Sequence, residues 1–93
     1  MKNKKSKILI VSDDLCSGRI RLVDLQQHGY ETTLAPCTEK AEQMFAQMLP
    51  NVIVIDVVLD YLSAIKFVRK LCNYAIIPIL LLTSTNNESQ TLK

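Results

Sequence analysis

Apolar residues recur along the chain in four short runs separated by segments with helical periodicity. The runs are Lys7–Val11, Tyr30–Ala35, Asn51–Asp56 and Ile77–Thr83. The first, third and fourth are almost unbroken aliphatic stretches, which is typical of strands buried on both faces of a parallel sheet. The second contains polar residues, which favours a position at the edge of the sheet.

The segments between the runs have the period of amphipathic helices. They are Leu15–His28, a segment from Thr38 to Met48, and Ser63–Cys72. We expect Gly29 to end the first helix and Thr38 to be the N-cap of the second. The alternation of strands and helices predicts a doubly wound α/β fold with right-handed crossovers.

The apolar positions of each helix predict the side that faces the sheet. In the first helix, one side carries Ile20, Val23 and Gln27, with Leu22 and Leu25 near it. The second helix has a stripe of Ala41, Met44, Phe45 and Met48, and the third has Ile65, Val68, Leu71 and Cys72 on its inner side. The charged residues Lys66, Arg69 and Lys70 are expected on the outer side of the third helix.

The composition fits one small globular domain. The chain has 93 residues, of which 48% are hydrophobic and 22% charged, and its formal net charge is +2. Much of the excess lies at the start, where residues 1–6 are expected to form a solvated basic tail, although such an arm could also contact nucleic acid or an acidic partner. Because the chain contains no DNA-binding motif, direct nucleic-acid binding is not expected.

The cysteines and the hydropathy indicate the compartment. Cys16, Cys37 and Cys72 are widely spaced and odd in number, which favours reduced, partly buried thiols over a disulfide framework or a zinc site. The apolar runs are too short for a signal peptide or a membrane span. We therefore expect a cytoplasmic protein without membrane contact.

Polar residues follow three of the four predicted strands. Asp13 and Asp14 come after the first strand, Asp56 ends the third and Thr83 ends the fourth. Sites in open α/β sheets lie beyond the carboxyl ends of the strands, so these side chains are expected to converge. Clustered carboxylates repel one another unless a cation neutralises them, and Mg²⁺ prefers oxygen ligands of this kind. The pattern predicts a magnesium site, with the Thr83 hydroxyl available to a bound phosphate.

Helix capping is the alternative role for two of these acids. Either Asp13 or Asp14 could cap the helix that begins near Leu15. Capping does not account for Asp56, because the next predicted helix begins some residues later.

From Lys7 to Ser84 the chain resembles the receiver domains of two-component response regulators. The resemblance is carried by the joint spacing of several segments: Lys7–Asp14, Gly29–Glu31, Pro50–Asp56 and Ile77–Ser84. It implies a flavodoxin-like doubly wound parallel sheet with the strand order 2-1-3-4.

The resemblance also implies a role for each matched residue. Asp56 would accept a phosphoryl group from a sensor histidine kinase or a phosphotransfer protein. Asp13, Asp56 and the backbone carbonyl of Val58 would bind Mg²⁺, with Asp14 as a further candidate ligand. Thr83 would bond a phosphoryl oxygen and switch an output surface for an effector domain or partner protein. A domain of this kind is a phospho-acceptor in signalling rather than an enzyme.

Some positions depart from the family. Ser12 stands where the family usually has an acid, and Leu59-Asp60 and Ser63-Ala64 alter the loop after Asp56. The family's fifth strand, its phosphate-pairing lysine, its switch aromatic and its last helix have no counterpart before Lys93.

We therefore expect residues 1–93 to form an incomplete receiver domain, in which residues 85–93 begin an unfinished helix. The apolar fourth strand would be an exposed edge, and such an edge is a template for pairing. A longer native chain is the favoured cover, and a dimer partner is another.

Two other functions stay open. A phosphorylation-independent interaction module, or pseudo-receiver, would suit Ser12 and the missing lysine. A small flavin- or nucleotide-binding enzyme is disfavoured, because Gly18 and Gly29 are the only glycines and neither belongs to a glycine-rich loop after a strand.

Overall fold

The computed structural model describes residues 5–56, 61–73 and 76–82. In chain order its elements are β1 (Lys7–Ser12), α1 (Leu15–Gln27), β2 (Glu31–Ala35), α2 (Thr38–Met48), β3 (Val52–Asp56), α3 (Tyr61–Cys72) and β4 (Ile79–Leu82). The predicted alternation of strands and helices is confirmed. Lys5 and Ser6 of the predicted tail are exposed, whereas residues 1–4 and 85–93 lie outside the described part of the chain.

The four strands form one parallel sheet in the order β2-β1-β3-β4. This confirms the predicted doubly wound order and the position of β2 at an edge. β4 is shorter than its apolar run, since Ile77 and Pro78 precede the strand. β1 and β3 are the central strands, and all but the first residue of each is buried, as continuous aliphatic runs require.

Two groups of apolar side chains pack on opposite faces of the sheet. The larger joins Leu9, Val11, Ile53 and Ile55 to α2 and α3, where Phe45, Phe67 and Leu71 are buried. The smaller joins Ile8, Ile10 and Val54 to the half-buried Leu22 and Leu25 of α1. The sheet therefore lies between α1 on one face and α2 with α3 on the other.

The packed side of α1 differs from the predicted one. Ile20 and Val23 are 70% and 49% exposed, whereas Gly18 is the buried residue of the helix. The reason is that α1 contacts the sheet at the small residue Gly18. In this orientation Leu22 and Leu25 face the sheet, and Ile20 faces solvent. In α2 the predicted apolar stripe is confirmed.

The helix ends agree with the sequence in one case and differ in another. Gly29 follows α1 with φ 92°, and Tyr30 N–H donates to the Leu25 carbonyl, the hydrogen bond of a Schellman ending. The N-cap of α2 is Cys37 rather than Thr38, which is the first helical residue, and Cys37 makes no side-chain capping bond.

Two surface features of the described residues bear on the sequence predictions: the cysteine thiols and the edge of the sheet at β4. Cys16, Cys37 and Cys72 are free and exposed, so the expectation of partly buried thiols was wrong, as was the inward position of Cys72. On β4, Leu80 and Leu81 are 53% and 38% exposed, as expected of an apolar edge strand. Within the described ranges, no helix has the length and apolar character needed to cross a membrane.

Candidate functional site

The candidate site lies where β1 and β3 end side by side. Ser12 pairs with Asp56 in the β1–β3 register, and Asp56 pairs with Leu82 in the β3–β4 register. Side chains alternate along a strand, so Ser12 and Asp56 belong to the same face as Ile10 and Val54. That is the face covered by α1. The fold thus directs Asp56 toward the first turns of α1.

Asp56 is a fully buried carboxylate at the end of a fully apolar strand. Its Oδ2 accepts a hydrogen bond from the Ser17 hydroxyl at 3.2 Å and one from Arg21 Nε at 3.0 Å. Because the guanidinium is always protonated, the second contact is also an ion pair. A buried carboxylate without such partners would be strongly unfavourable, and α1 supplies both of them.

The close approach of α1 to the sheet depends on Gly18. A Cβ at this position would lie 3.0 Å from Leu34 Cδ1 and 3.1 Å from Ser12 Cβ. Ser17 and Arg21 are four residues apart and therefore share the side of the helix that Gly18 brings toward the sheet. The absence of a side chain at Gly18 thus lets two polar side chains reach the end of β3.

Ser12 and Asp14 form the turn between β1 and α1. Asp14 is the N-cap of α1, and its Oδ1 accepts hydrogen bonds from the backbone N–H groups of Cys16 and Ser17. The Ser12 hydroxyl donates to the Asp14 carbonyl at 2.9 Å. The capping alternative is therefore confirmed for Asp14. Ser12, which is completely buried, has no charge to contribute to the site.

Only some of the predicted magnesium ligands lie in the described part of the chain. Asp13 is half-buried directly after β1, next to the end of β3 where Asp56 lies. The carbonyl of Val58 and the hydroxyl of Thr83 lie outside the described residues, as do Leu59 and Asp60. Among the described residues, no group of three or more His, Cys, Asp or Glu side chains could hold a metal ion.

One feature of Asp56 suits a hard cation. Its Oδ1 is buried and has no hydrogen-bond partner among the described residues, although Oδ2 has two. Mg²⁺ commonly uses only one or two carboxylates and keeps several waters, so it does not need three acidic side chains. The chemistry of Oδ1, with Asp13 on the adjacent strand end, therefore fits the predicted ion. The metal roles of Asp13, Asp14, Asp56 and Val58 stay predictions.

Ser17 and Arg21 are the site residues that the sequence prediction missed. The sequence does place a hydroxyl and a guanidinium at i and i+4, closely after an acidic pair at a strand end. This spacing does not show which side of the helix faces the sheet, and the prediction favoured the side of Ile20 and Val23.

No family model matches the chain. It is 34% identical over 84 residues to "Probable transcriptional regulator ycf27" of Cyanophora paradoxa. The matched segment covers 90% of this chain and 35% of that protein. The chain therefore spans about a third of the length of the curated relatives it matches.

Solved structures of response regulators have the same fold as this chain. The BeF3-activated N-terminal receiver domain of RstA from Klebsiella pneumoniae superposes with TM-score 0.79 at 26% identity, covering 94% of this chain and 74% of that one. Response regulator TrrA from Thermotoga maritima, solved in complex with Mg²⁺ and BeF, has TM-score 0.77 at 23% identity, covering 94% and 76%. Proteins of this class act in signalling rather than as classical enzymes. With its sheet order and these relatives, the chain belongs to the response-regulator receiver domains of two-component signalling.

Proposed function

We propose that this chain is a receiver that accepts a phosphoryl group on Asp56. The observation that carries the proposal is a buried aspartate at the carboxyl end of a central strand. One of its oxygens is held by Ser17 and Arg21, and the other has no partner within the described part of the chain. A carboxylate fixed in this way is oriented for attack, and phosphoryl transfer depends mainly on positioning and charge neutralisation.

In the proposed reaction, a carboxylate oxygen of Asp56 forms a bond to the phosphorus of a phosphohistidine on a sensor kinase or phosphotransfer protein. The P–N bond of the donor breaks, and the imidazole leaves with the electron pair. Oδ1 is the oxygen of Asp56 that has no hydrogen-bond partner among the described residues. Before a metal ion binds, Ser17 and Arg21 hold Oδ2 and so fix the orientation of the carboxylate.

Magnesium is the proposed cofactor, because BeF complexes of the structural relatives include one with Mg²⁺. When bound, the ion would neutralise charge on the phosphoryl oxygens. Asp13 and Asp56 are the described residues proposed to hold it, together with the Val58 carbonyl. Asp14 is a weaker candidate, because its Oδ1 already caps α1. Thr83 is proposed as the hydroxyl that binds a phosphoryl oxygen.

The output is proposed to lie with an effector domain or a partner protein. The curated relatives are named as transcriptional regulators, and this chain matches about a third of their length. The exposed edge at β4 is a second proposed contact, at which another copy of the chain could pair.

The test is a phosphodonor incubation followed by intact-mass measurement. The protein is incubated with Mg²⁺ and acetyl phosphate, and we expect one adduct with the mass of a phosphoryl group. Asp56→Asn should abolish the adduct, because the amide is a poor nucleophile. Asp24→Asn, which neutralises an exposed acid on α1, is the matched control and should retain it.

Omission of Mg²⁺, with chelator present, should lower the yield of the adduct by at least about tenfold if the ion neutralises the phosphoryl charge. An adduct that persists in Asp56→Asn would contradict the assignment of the acceptor. The absence of any adduct, with partner binding intact, would favour a phosphorylation-independent interaction module.

A further inference from the structure

Arg21 already occupies the position of a counter-ion at Asp56. Its Nε lies 3.0 Å from Oδ2, and Ser17 donates to the same oxygen. Asp56 is completely buried, whereas the Arg21 side chain is 38% exposed. The charge of the acceptor is therefore balanced by the chain itself, through a side chain that also has access to solvent.

This arrangement has a consequence for any second cation at Asp56. A divalent ion at the carboxylate would lie close to the guanidinium, and two cations a few ångströms apart repel each other strongly where water is excluded. Without the guanidinium, the buried carboxylate would lose its ion-pair partner and would attract a metal more strongly. The affinity of the site for Mg²⁺ should therefore depend on whether Arg21 is in place.

We propose that Arg21 is a built-in counter-ion that lowers the affinity of Asp56 for a divalent cation, so that metal binding requires the guanidinium to leave the carboxylate. The proposal rests on Asp56 being the functional carboxylate of the proposed receiver. Arg21 thereby has a regulatory role, because the Asp56 carboxylate is paired either with the guanidinium or with the metal ion.

A purely structural role for Arg21 makes a different prediction. If the ion pair only fastened α1 to the sheet, its removal would reduce stability but leave the affinity for Mg²⁺ unchanged or weaker, because Asp56 would be less well ordered. The two roles are separated by the direction of the change in metal affinity.

The experiment is a calorimetric titration with Mg²⁺ alone, without a phosphodonor, so its outcome does not depend on whether Asp56 is phosphorylated. Arg21→Gln removes the charge and keeps a side chain of similar length. We expect it to bind Mg²⁺ at least about tenfold more tightly than the wild type. Arg19→Gln is the matched control, since Arg19 is an exposed cation on the same helix, and it should change the affinity by less than about twofold.

The binding gained in Arg21→Gln should disappear in the double variant with Asp56→Asn. An equal or weaker affinity in Arg21→Gln would overturn the proposal. So would an equal increase in Arg19→Gln, which would indicate a general charge effect, or tight binding that survives in the double variant.

A second measurement uses the wild-type protein and does not depend on the folding of a variant. In ¹⁵N-labelled protein, the Arg21 Nε–H signal should be protected from exchange with water in the absence of metal, because this group donates to buried Oδ2. Addition of Mg²⁺ should remove the protection at the concentrations that saturate the site. Protection that persists at saturation would contradict the exchange of one cation for the other.

Discussion

At the scale of single residues, the site depends on how closely α1 approaches β1. Gly18 is buried against Ser12. Ser17 and Arg21, which lie on the same side of α1 as Gly18, both contact Asp56. Asp14 fixes the start of the helix by capping it. A small residue, a cap and an ion pair thus act together to place charged and polar atoms at the end of β3.

Gly18→Ala tests this dependence. Alanine favours a helix over glycine by about 1 kcal/mol, but the added Cβ would lie 3.1 Å from Ser12 Cβ, which belongs to a completely buried residue of β1 and cannot easily move. We expect a net loss of about 1 kcal/mol or more in the free energy of unfolding, measured in urea. Protection of the Arg21 Nε–H from exchange should fall as the helix moves outward.

The control for helix propensity is Ala46→Gly, at an exposed position of α2. It should be destabilising by about 1 kcal/mol, the reverse of what propensity alone would give at Gly18. A Gly18→Ala variant that is more stable than the wild type, with Arg21 still protected, would show that the close approach is not needed.

At the scale of elements, apolar periodicity predicted the segments more reliably than their orientation. The stripe in α2 was assigned correctly, because Ala41 and Phe45 face the sheet. In α1 the assignment to Ile20 and Val23 was wrong, since a glycine rather than the largest apolar residues determines the contact. Periodicity reports hydrophobic area and carries no information about how near the helix axis lies to the sheet.

The β4 strand has an inner and an outer set of residues that can be tested separately. Ile79 packs against the larger apolar cluster, whereas Leu80 is 53% exposed at the edge. Ile79→Thr should cost about 2 kcal/mol of unfolding free energy. Leu80→Thr should change stability by less than about 0.5 kcal/mol and should reduce self-association measured by analytical ultracentrifugation.

The two variants have the same chemistry at adjacent positions, so each controls for the other. Equal losses of stability would contradict the exposure of Leu80. A wild-type protein that stays monomeric at all concentrations would contradict the proposed pairing at β4.

At the scale of the whole molecule, general rules predict parallel strands and the edge position of β2, whereas the order 2-1-3-4 was implied by the resemblance to receiver domains. Alternating strands and helices give parallel pairing and right-handed crossovers, and the polar second strand takes an edge. The predicted convergence of Asp13 and Asp56 depended in addition on β1 and β3 being neighbours, and the two strands do pair. The Arg21–Asp56 pair could not be predicted in this way, because it depends on the rotation and distance of α1 relative to the sheet.

The same contrast applies to the chemistry of the site. The sequence is enough to predict that Asp56 needs a polar or charged partner, since an acid at the end of an apolar buried strand is unfavourable without one. Which partner it finds is set by packing: a helix carrying Gly18 approaches closely enough for its own cation to neutralise Asp56.

The proposed role of Asp56 as the phosphoryl acceptor is tested by locating the phosphoryl group within the chain. Protein treated with acetyl phosphate and Mg²⁺ would be digested, and the modified residue identified by fragment-ion mass spectrometry. We expect a single modified residue, Asp56, and none in Asp56→Asn protein. A phosphoryl group located on Asp13, Asp14 or any other residue, with Asp56 unmodified, would contradict the proposed role.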